Sequence, residues 1–240
     1  MSKPEYIQQI NHKGGISLTK LTFLGHACFQ LSNEKTTILF DPFLTDNPLA
    51  AMQPAEVKCD YVLVSHGHAD HLGDAIAIAR QNGATVVSTA EIAGLCSQQD
   101  CKTHAMHLGG KHAFDFGYVR LTLAFHGSGI SGGHACGFIV NFYGTTVYFA
   151  GDTALFGDMA LLGRLETIDW ALLPIGDNYT MGPDDAVEAA AMLKPGQVVP
   201  MHYNTWPVIA QDPEVFKQKV ESRLQIPVTI MQPGQSISLG

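Results

Sequence analysis

Seven residues, Ser65-His66-Gly67-His68-Ala69-Asp70-His71, constrain this chain more than any other stretch. From His66 to His71 they offer three imidazoles and one carboxylate in the pattern H-x-H-x-D-H. Imidazole nitrogen and carboxylate oxygen are ligands for borderline-soft divalent cations such as zinc. Four such groups this close can feed two neighbouring ions but cannot all serve one. On an extended backbone His66 and His68 share a face, and a turn after Gly67 can aim Asp70 and His71 at a second point. The apolar run Asp60 to Ser65 reads as a buried strand, and the Ala/Ile-rich run Gly73 to Arg80 reads as a helix. The motif therefore sits on a strand-to-helix loop, where α/β proteins bind their ligands.

Other β-rich runs end the same way. Val119 to Phe125 leads into His126, Thr145 to Gly151 into Asp152, and Gln197 to Met201 into His202. Several strand ends delivering metal-capable side chains with one polarity suggest a shared site. His26 follows the run Leu18 to Leu24, and Asp41 follows Thr36 to Phe40. Both stand at strand ends like the residues above and are candidates for the same site. Asp41 is alternatively the start of an Asp-Pro turn, and Asp152 a turn or N-cap aspartate before Thr153.

Five histidines lie between residues 104 and 134. His104, His107 and His112 fall in a polar, glycine-containing stretch that reads as an exposed hairpin region, whereas His126 completes an apolar strand. His134 lies in the glycine-rich loop that follows, a segment able to approach substrate closely. Tyr179, after the apolar run Trp170 to Ile175, is a candidate donor to a developing oxyanion. Asp184 and Asp185 read as the acidic start of a helix over residues 186–193.

The H-x-H-x-D-H loop, a later His, a Gly-Asp-Thr after a strand and a final His resemble the metallo-β-lactamase superfamily over essentially the whole chain. The stretches Leu24 to Cys28, Asp41 to Phe43, Phe149 to Asp158, Leu173 to Pro183 and Pro200 to Thr205 resemble a branch of stand-alone metal-dependent hydrolases related to ascorbate-phosphate lactonase. The resemblance implies one domain over residues 1–240, a four-layer αββα sandwich with the metal site at strand ends between two sheets. It implies His66, His68 and His126 on a first metal, Asp70, His71 and His202 on a second, and Asp152 bridging both. Two divalent ions per chain would then be bound: zinc, with manganese or iron as alternatives. The implied reaction is hydrolysis of a small ester, lactone or related substrate by a hydroxide bridging the two metals. Asp70, Asp152, His26, His134 and Tyr179 are the candidate catalytic residues. A phosphodiesterase, a di-iron redox protein and a non-catalytic metal-binding protein remain alternatives. The resemblance is also compatible with a homo-oligomer.

Composition narrows the field further. The chain has 240 residues, enough for a substantial core in one domain. Its net charge is −8, and the few Lys and Arg residues never cluster, which argues against nucleic-acid binding. No apolar run is long enough for a membrane span, and Met1 to Tyr6 lacks a charged-then-apolar signal pattern. The expectation is a cytoplasmic protein acting on a small molecule. Cys28, Cys59, Cys96, Cys101 and Cys136 are odd in number and lack C-x-x-C spacing, so burial as small apolar side chains is expected.

Overall fold

A computed structural model describes residues 18–239; Met1 to Tyr6, read above for a targeting signal, lies outside them. The strands are β1 (Lys20–Gly25), β2 (Cys28–Ser32), β3 (Thr37–Phe40), β4 (Tyr61–Leu63), β5 (Thr85–Thr89), β6 (Lys102–Met106), β7 (Lys111–Phe114), β8 (Gly117–Leu123), β9 (Cys136–Phe142), β10 (Thr145–Phe149), β11 (Trp170–Pro174), β12 (Gln197–Met201) and β13 (Ser236–Ser238). The helices are α1 (Ala69–Leu72), α2 (Ala75–Asn82), α3 (Ala90–Ser97), α4 (Met159–Leu165), α5 (Pro183–Leu193) and α6 (Pro213–Leu224). None of these helices is long and apolar enough to cross a membrane.

The strands form a seven-stranded sheet, β13-β1-β2-β3-β4-β5-β6, and a six-stranded sheet, β12-β11-β10-β9-β8-β7. Each begins as an antiparallel meander and continues in parallel: β1-β2-β3 then β4-β5-β6, and β7-β8-β9-β10 then β11-β12. Parallel pairing requires crossovers, which α2, α3 and α5 help provide. Short antiparallel links keep the other half of each sheet local.

The inner faces of both sheets meet in one apolar layer. Phe40 of β3 stacks on Phe149 of β10, with ring centroids 5.0 Å apart. Both rings are fully buried, and burying a large apolar side chain contributes roughly 1.5–3 kcal/mol. Asp41 follows Phe40 directly and Asp152 follows Phe149 by three residues, so this contact anchors two strand ends that reach the site. Ala75, Ile78, Ala79, Ile92 and Cys96 pack over the outer face of the first sheet. Helices α4, α5 and α6 cover the second, with Met159, Ala186, Ala190 and Phe216 in the main core. The architecture is the expected αββα sandwich.

Several local expectations shift. Strand β8 stops at Leu123, so His126 lies three residues beyond it, and β10 stops at Phe149 rather than Gly151. His104 and His112 do not share a hairpin. His104 sits on β6 at the edge of one sheet and His112 on β7 at the edge of the other, with ring centroids 4.0 Å apart. Residues Gly73 and Asp74 precede the helix, which begins at Ala75, and Ala69–Leu72 form a separate single turn. All five cysteines are buried and unpaired. Burial pushes the Cys28 and Cys136 thiols well up, and those of Cys59 and Cys96 up to about 12, so none is a ready thiolate.

Candidate metal centre

The carboxyl ends of β1, β3, β4, β10 and β12 converge at one rim between the sheets, and each delivers a site residue. Three of these, His26, Asp41 and His202, hold left-handed backbone conformations, with φ of 60°, 38° and 56°. Such conformations cost on the order of 1–3 kcal/mol each for residues other than glycine and gather at functional sites. The His202 N–H donates to the His26 carbonyl at 2.9 Å, locking two of the turns together.

One cluster consists of His66, His68 and His126. Its converging nitrogens are His66 Nε2 and His68 Nδ1, 3.0 Å apart, and His126 Nε2, 3.3 Å from the same His68 atom. His126 reaches it from a loop because the Phe125 N–H donates to Thr153 Oγ1 and the Phe125 carbonyl accepts from Ala154 N–H. His68 is held by the close approach of the 127–133 loop: Gly67 N–H donates to the Ser128 carbonyl at 2.7 Å. A Cβ on Gly129, at φ +70°, would sit 2.3 Å from His68 N. That position therefore requires glycine.

A second cluster joins His26, Asp70, His71 and His202. Asp70 Oδ2 lies 3.3 Å from His26 Nε2, 3.6 Å from His71 Nε2 and 3.7 Å from His202 Nε2. The single turn Ala69–Leu72 sets Asp70 outward, partly exposed, and His71 inward, fully buried. Asp152 stands between the clusters. Its Oδ2 is 3.1 Å from His202 Nε2, 3.2 Å from His71 Nε2, 3.5 Å from His126 Nε2 and 4.0 Å from His66 Nε2.

Asp41 organises one imidazole of each cluster from behind. Its Oδ1 accepts from Ser65 N–H at 2.7 Å, and its Oδ2 accepts from Ser65 Oγ at 2.5 Å and from His71 Nδ1 at 2.7 Å. With the Ser65 hydroxyl hydrogen committed to Asp41, His66 Nδ1–H donates to Ser65 Oγ at 2.9 Å. Protons on both Nδ1 atoms leave both Nε2 lone pairs facing the site, the device by which an outer hydrogen bond fixes a ligand tautomer. Asp41→Asn forces an amide NH2 against a donor on one side of this arrangement. It should weaken metal binding by about 10–100-fold, read by titration against a competing chelator; wild-type affinity would contradict the orienting role.

The donor set fits divalent metal. His71 Nε2, His202 Nε2 and Asp152 Oδ1 are buried polar atoms without a hydrogen-bond partner. Asp152 Oδ2 lies 3.1 Å from His202 Nε2 and 3.2 Å from His71 Nε2 without satisfying either nitrogen. Buried polar atoms are normally paired, so atoms turned toward a common point are suited to a cation. Burial lowers the His66 pKa to about 2 and that of His26 to about 4, against the pull of Asp152 and Asp70 respectively, keeping both rings neutral. Burial would also lower His71 and His202, but Asp152 outweighs it, raising His71 well above its usual value and His202 to about 9. Burial opposes charge on Asp152 and Asp70. The imidazoles around them prevail and hold both carboxyls well below the usual range. Negative charge is thus stored where cations would sit.

A cavity of about 210 Å3 opens over the clusters, lined by His68, Asp70, His126, Asp152, His202, Tyr179 and Trp206. Tyr179 reaches it, while His134 is exposed on its loop and is not part of the lining. Neither His104, His107 nor His112 joins a metal-capable group among the described residues. Ser65, Thr205 and Trp206 were not singled out by the sequence. Ser65 adjoins His66, and Thr205 Oγ1 lies 2.8 Å from His26 Nδ1. Adjacency to His66 is the signal that could have flagged Ser65; Thr205 and Trp206 follow His202 by three and four residues and carry no such mark.

Residues 36–203 match the model of the beta-lactamase superfamily domain. A UPF0173 metal-dependent hydrolase of Pelotomaculum thermopropionicum is 54% identical over 228 residues, spanning 92% of this chain and 100% of the relative. Its counterpart in Desulforamulus reducens is 52% identical over 228 residues, with the same coverage. Among solved structures, Igni18, a metallo hydrolase from the hyperthermophilic archaeon Ignicoccus hospitalis, superimposes with a TM-score of 0.88. The two are 39% identical, over 93% of this chain and 99% of Igni18. The chain therefore belongs to the beta-lactamase superfamily, in its UPF0173 metal-dependent hydrolase branch.

Proposed function

We propose that this chain uses two divalent cations, zinc in the first instance, to hydrolyse a small carboxylic ester, lactone or related derivative. The observation that carries the two-metal reading is the position of Asp152 Oδ2, within 4.0 Å of imidazole nitrogens from both clusters. His66, His68 and His126 would hold one ion, and Asp70, His71 and His202 the other, with Asp152 shared. When bound, such a pair supplies Lewis acidity and makes water a stronger acid.

The chain's own groups do the rest. Asp70, which lines the cavity, can orient the attacking water. His26, neutral and fixed by Thr205, contacts Asp70 Oδ2 at 3.3 Å and helps position that carboxylate. The Tyr179 hydroxyl can donate to the oxygen that gains negative charge. No catalytic part is assigned to His134.

The test is turnover of a panel of esters, lactones, thioesters and phosphodiesters by metal-replete protein. Ester or lactone hydrolysis should disappear with chelator and return with zinc. Chelation should be easier at lower pH. Asp152 favours the protonated forms of His71 and His202 in the metal-free protein, and metal binding must displace those protons, so affinity rises with pH. Turnover of phosphodiesters alone would refute the acyl-transfer reading.

A further inference from the structure

The cavity over the clusters has two kinds of wall. Below are histidine and aspartate; the remaining lining is Tyr179 and Trp206, and no Lys or Arg borders it among the described residues. Trp206 is firmly placed. Its carbonyl accepts from Ile209 N–H at 3.1 Å. Its ring stands edge-on to His26, with centroids 5.0 Å apart, and 6.0 Å from Phe43. Tyr179 is presented by two consecutive left-handed residues, Asp177 and Asn178, at φ 60° and 53°. The apolar character continues outward on the loops that carry the site. Phe125, next to His126, is 60% exposed, and Val208, two residues past Trp206, is 52% exposed.

A substrate places its reacting carbonyl over the histidine-aspartate floor, so its substituent must meet these aromatic walls. A carboxylate or phosphate on that substituent would lose water with no guanidinium or ammonium to replace it, which is costly. Sites that recognise such anions supply Arg or Lys. An uncharged apolar substituent instead gains roughly 25 cal/mol for each Å2 it buries. The volume, about 210 Å3, falls below the ~300–1,000 Å3 of pockets for drug-sized ligands, so the group is small.

We propose that the substrate is a small uncharged ester or lactone whose apolar substituent lies against Trp206, and that Trp206 determines this specificity. The inference rests on the ester-hydrolase reading above. In the reaction one water is consumed. The acyl C–O bond breaks, the water oxygen bonds to the acyl carbon, and the departing oxygen takes a proton. A phosphorylated lactone, the kind of substrate named by the lactonase in the resemblance, is disfavoured because nothing in the lining pairs its phosphate.

The experiment compares phenyl acetate with 4-carboxyphenyl acetate on the metal-replete full chain. In parallel, the binding of acetanilide and 4-acetamidobenzoate is measured by calorimetry. The neutral member of each pair should be preferred, by at least tenfold in kcat/KM. Trp206→Lys should shrink or invert that ratio, and Trp206→Phe should retain it, with metal content confirming an intact site. Equal rates and equal affinities within each pair, or a ratio unmoved by Trp206→Lys, would overturn the inference while leaving ester hydrolysis standing. Turnover of bis(4-nitrophenyl) phosphate with neither ester cleaved would remove the ester reading and this inference together.

Discussion

Asp152→Asn should lose at least about 100-fold in kcat/KM on any substrate found and should fail to hold both metals tightly. Loss of an outer partner that merely orients a ligand costs 10–100-fold, and Asp152 is closer to the centre than any such partner. Its Oδ2 approaches four imidazoles, from 3.1 Å at His202 to 4.0 Å at His66. It is also the buried negative charge that would offset cations in both clusters, and an amide of the same shape removes that charge without opening a cavity. Metal content and activity of the variant, measured together, decide the matter. Near-normal turnover with two bound ions would reduce Asp152 to a turn residue and break the link between the clusters.

His126→Ala should weaken binding in the first cluster and remove hydrolysis, whereas His104→Ala, His107→Ala and His112→Ala should each bind metal almost normally. The cluster of His66, His68 and His126 has three imidazoles, and losing one leaves too few protein donors for tight binding. The other three histidines lie on or beside the sheet edges formed by β6 and β7. Removing an exposed side chain usually changes stability by about 0.5 kcal/mol or less. His104 and His112 touch each other across the two edges, so a small stability change is expected there without metal loss. If His126→Ala kept two tightly held ions while one of the others lost one, the composition of the first cluster would be wrong.

Much of the fold and site was legible because strand ends carry a clear local signal. The apolar runs before His66, Asp152 and His202 are found as β4, β10 and β12, and the rim they share gathers the metal-capable residues of the H-x-H-x-D-H loop with those of the other strand ends. Other elements left weaker traces. Strand β2 is five residues following β1 by a two-residue turn, and β13 is a polar three-residue edge strand defined by pairing with β1. Strand β9, buried except at the part-exposed Asn141, is masked by the glycine-rich loop before it. The single turn at Ala69–Leu72 is too short to show a helical period.

Contacts between distant segments were beyond reach for the same reason. Asp41 and Ser65 are 24 residues apart, and only the parallel pairing of β3 with β4 brings them together. Trp206 had no periodicity or motif to mark it; its significance comes from the cavity it walls. Conversely, His134 was close to the site in sequence but its loop leaves it exposed. Nearness along the chain is a poor guide once a loop is free of a strand.

The central claim is that one chain holds two cations through separate clusters joined by Asp152. Elemental analysis of protein purified without chelator and then saturated with zinc tests it most directly, alongside His66→Ala and His202→Ala. The expected result is two ions per chain for the wild type and one for each variant, with the surviving ion in the opposite cluster. A wild-type value that saturates at one would contradict the account.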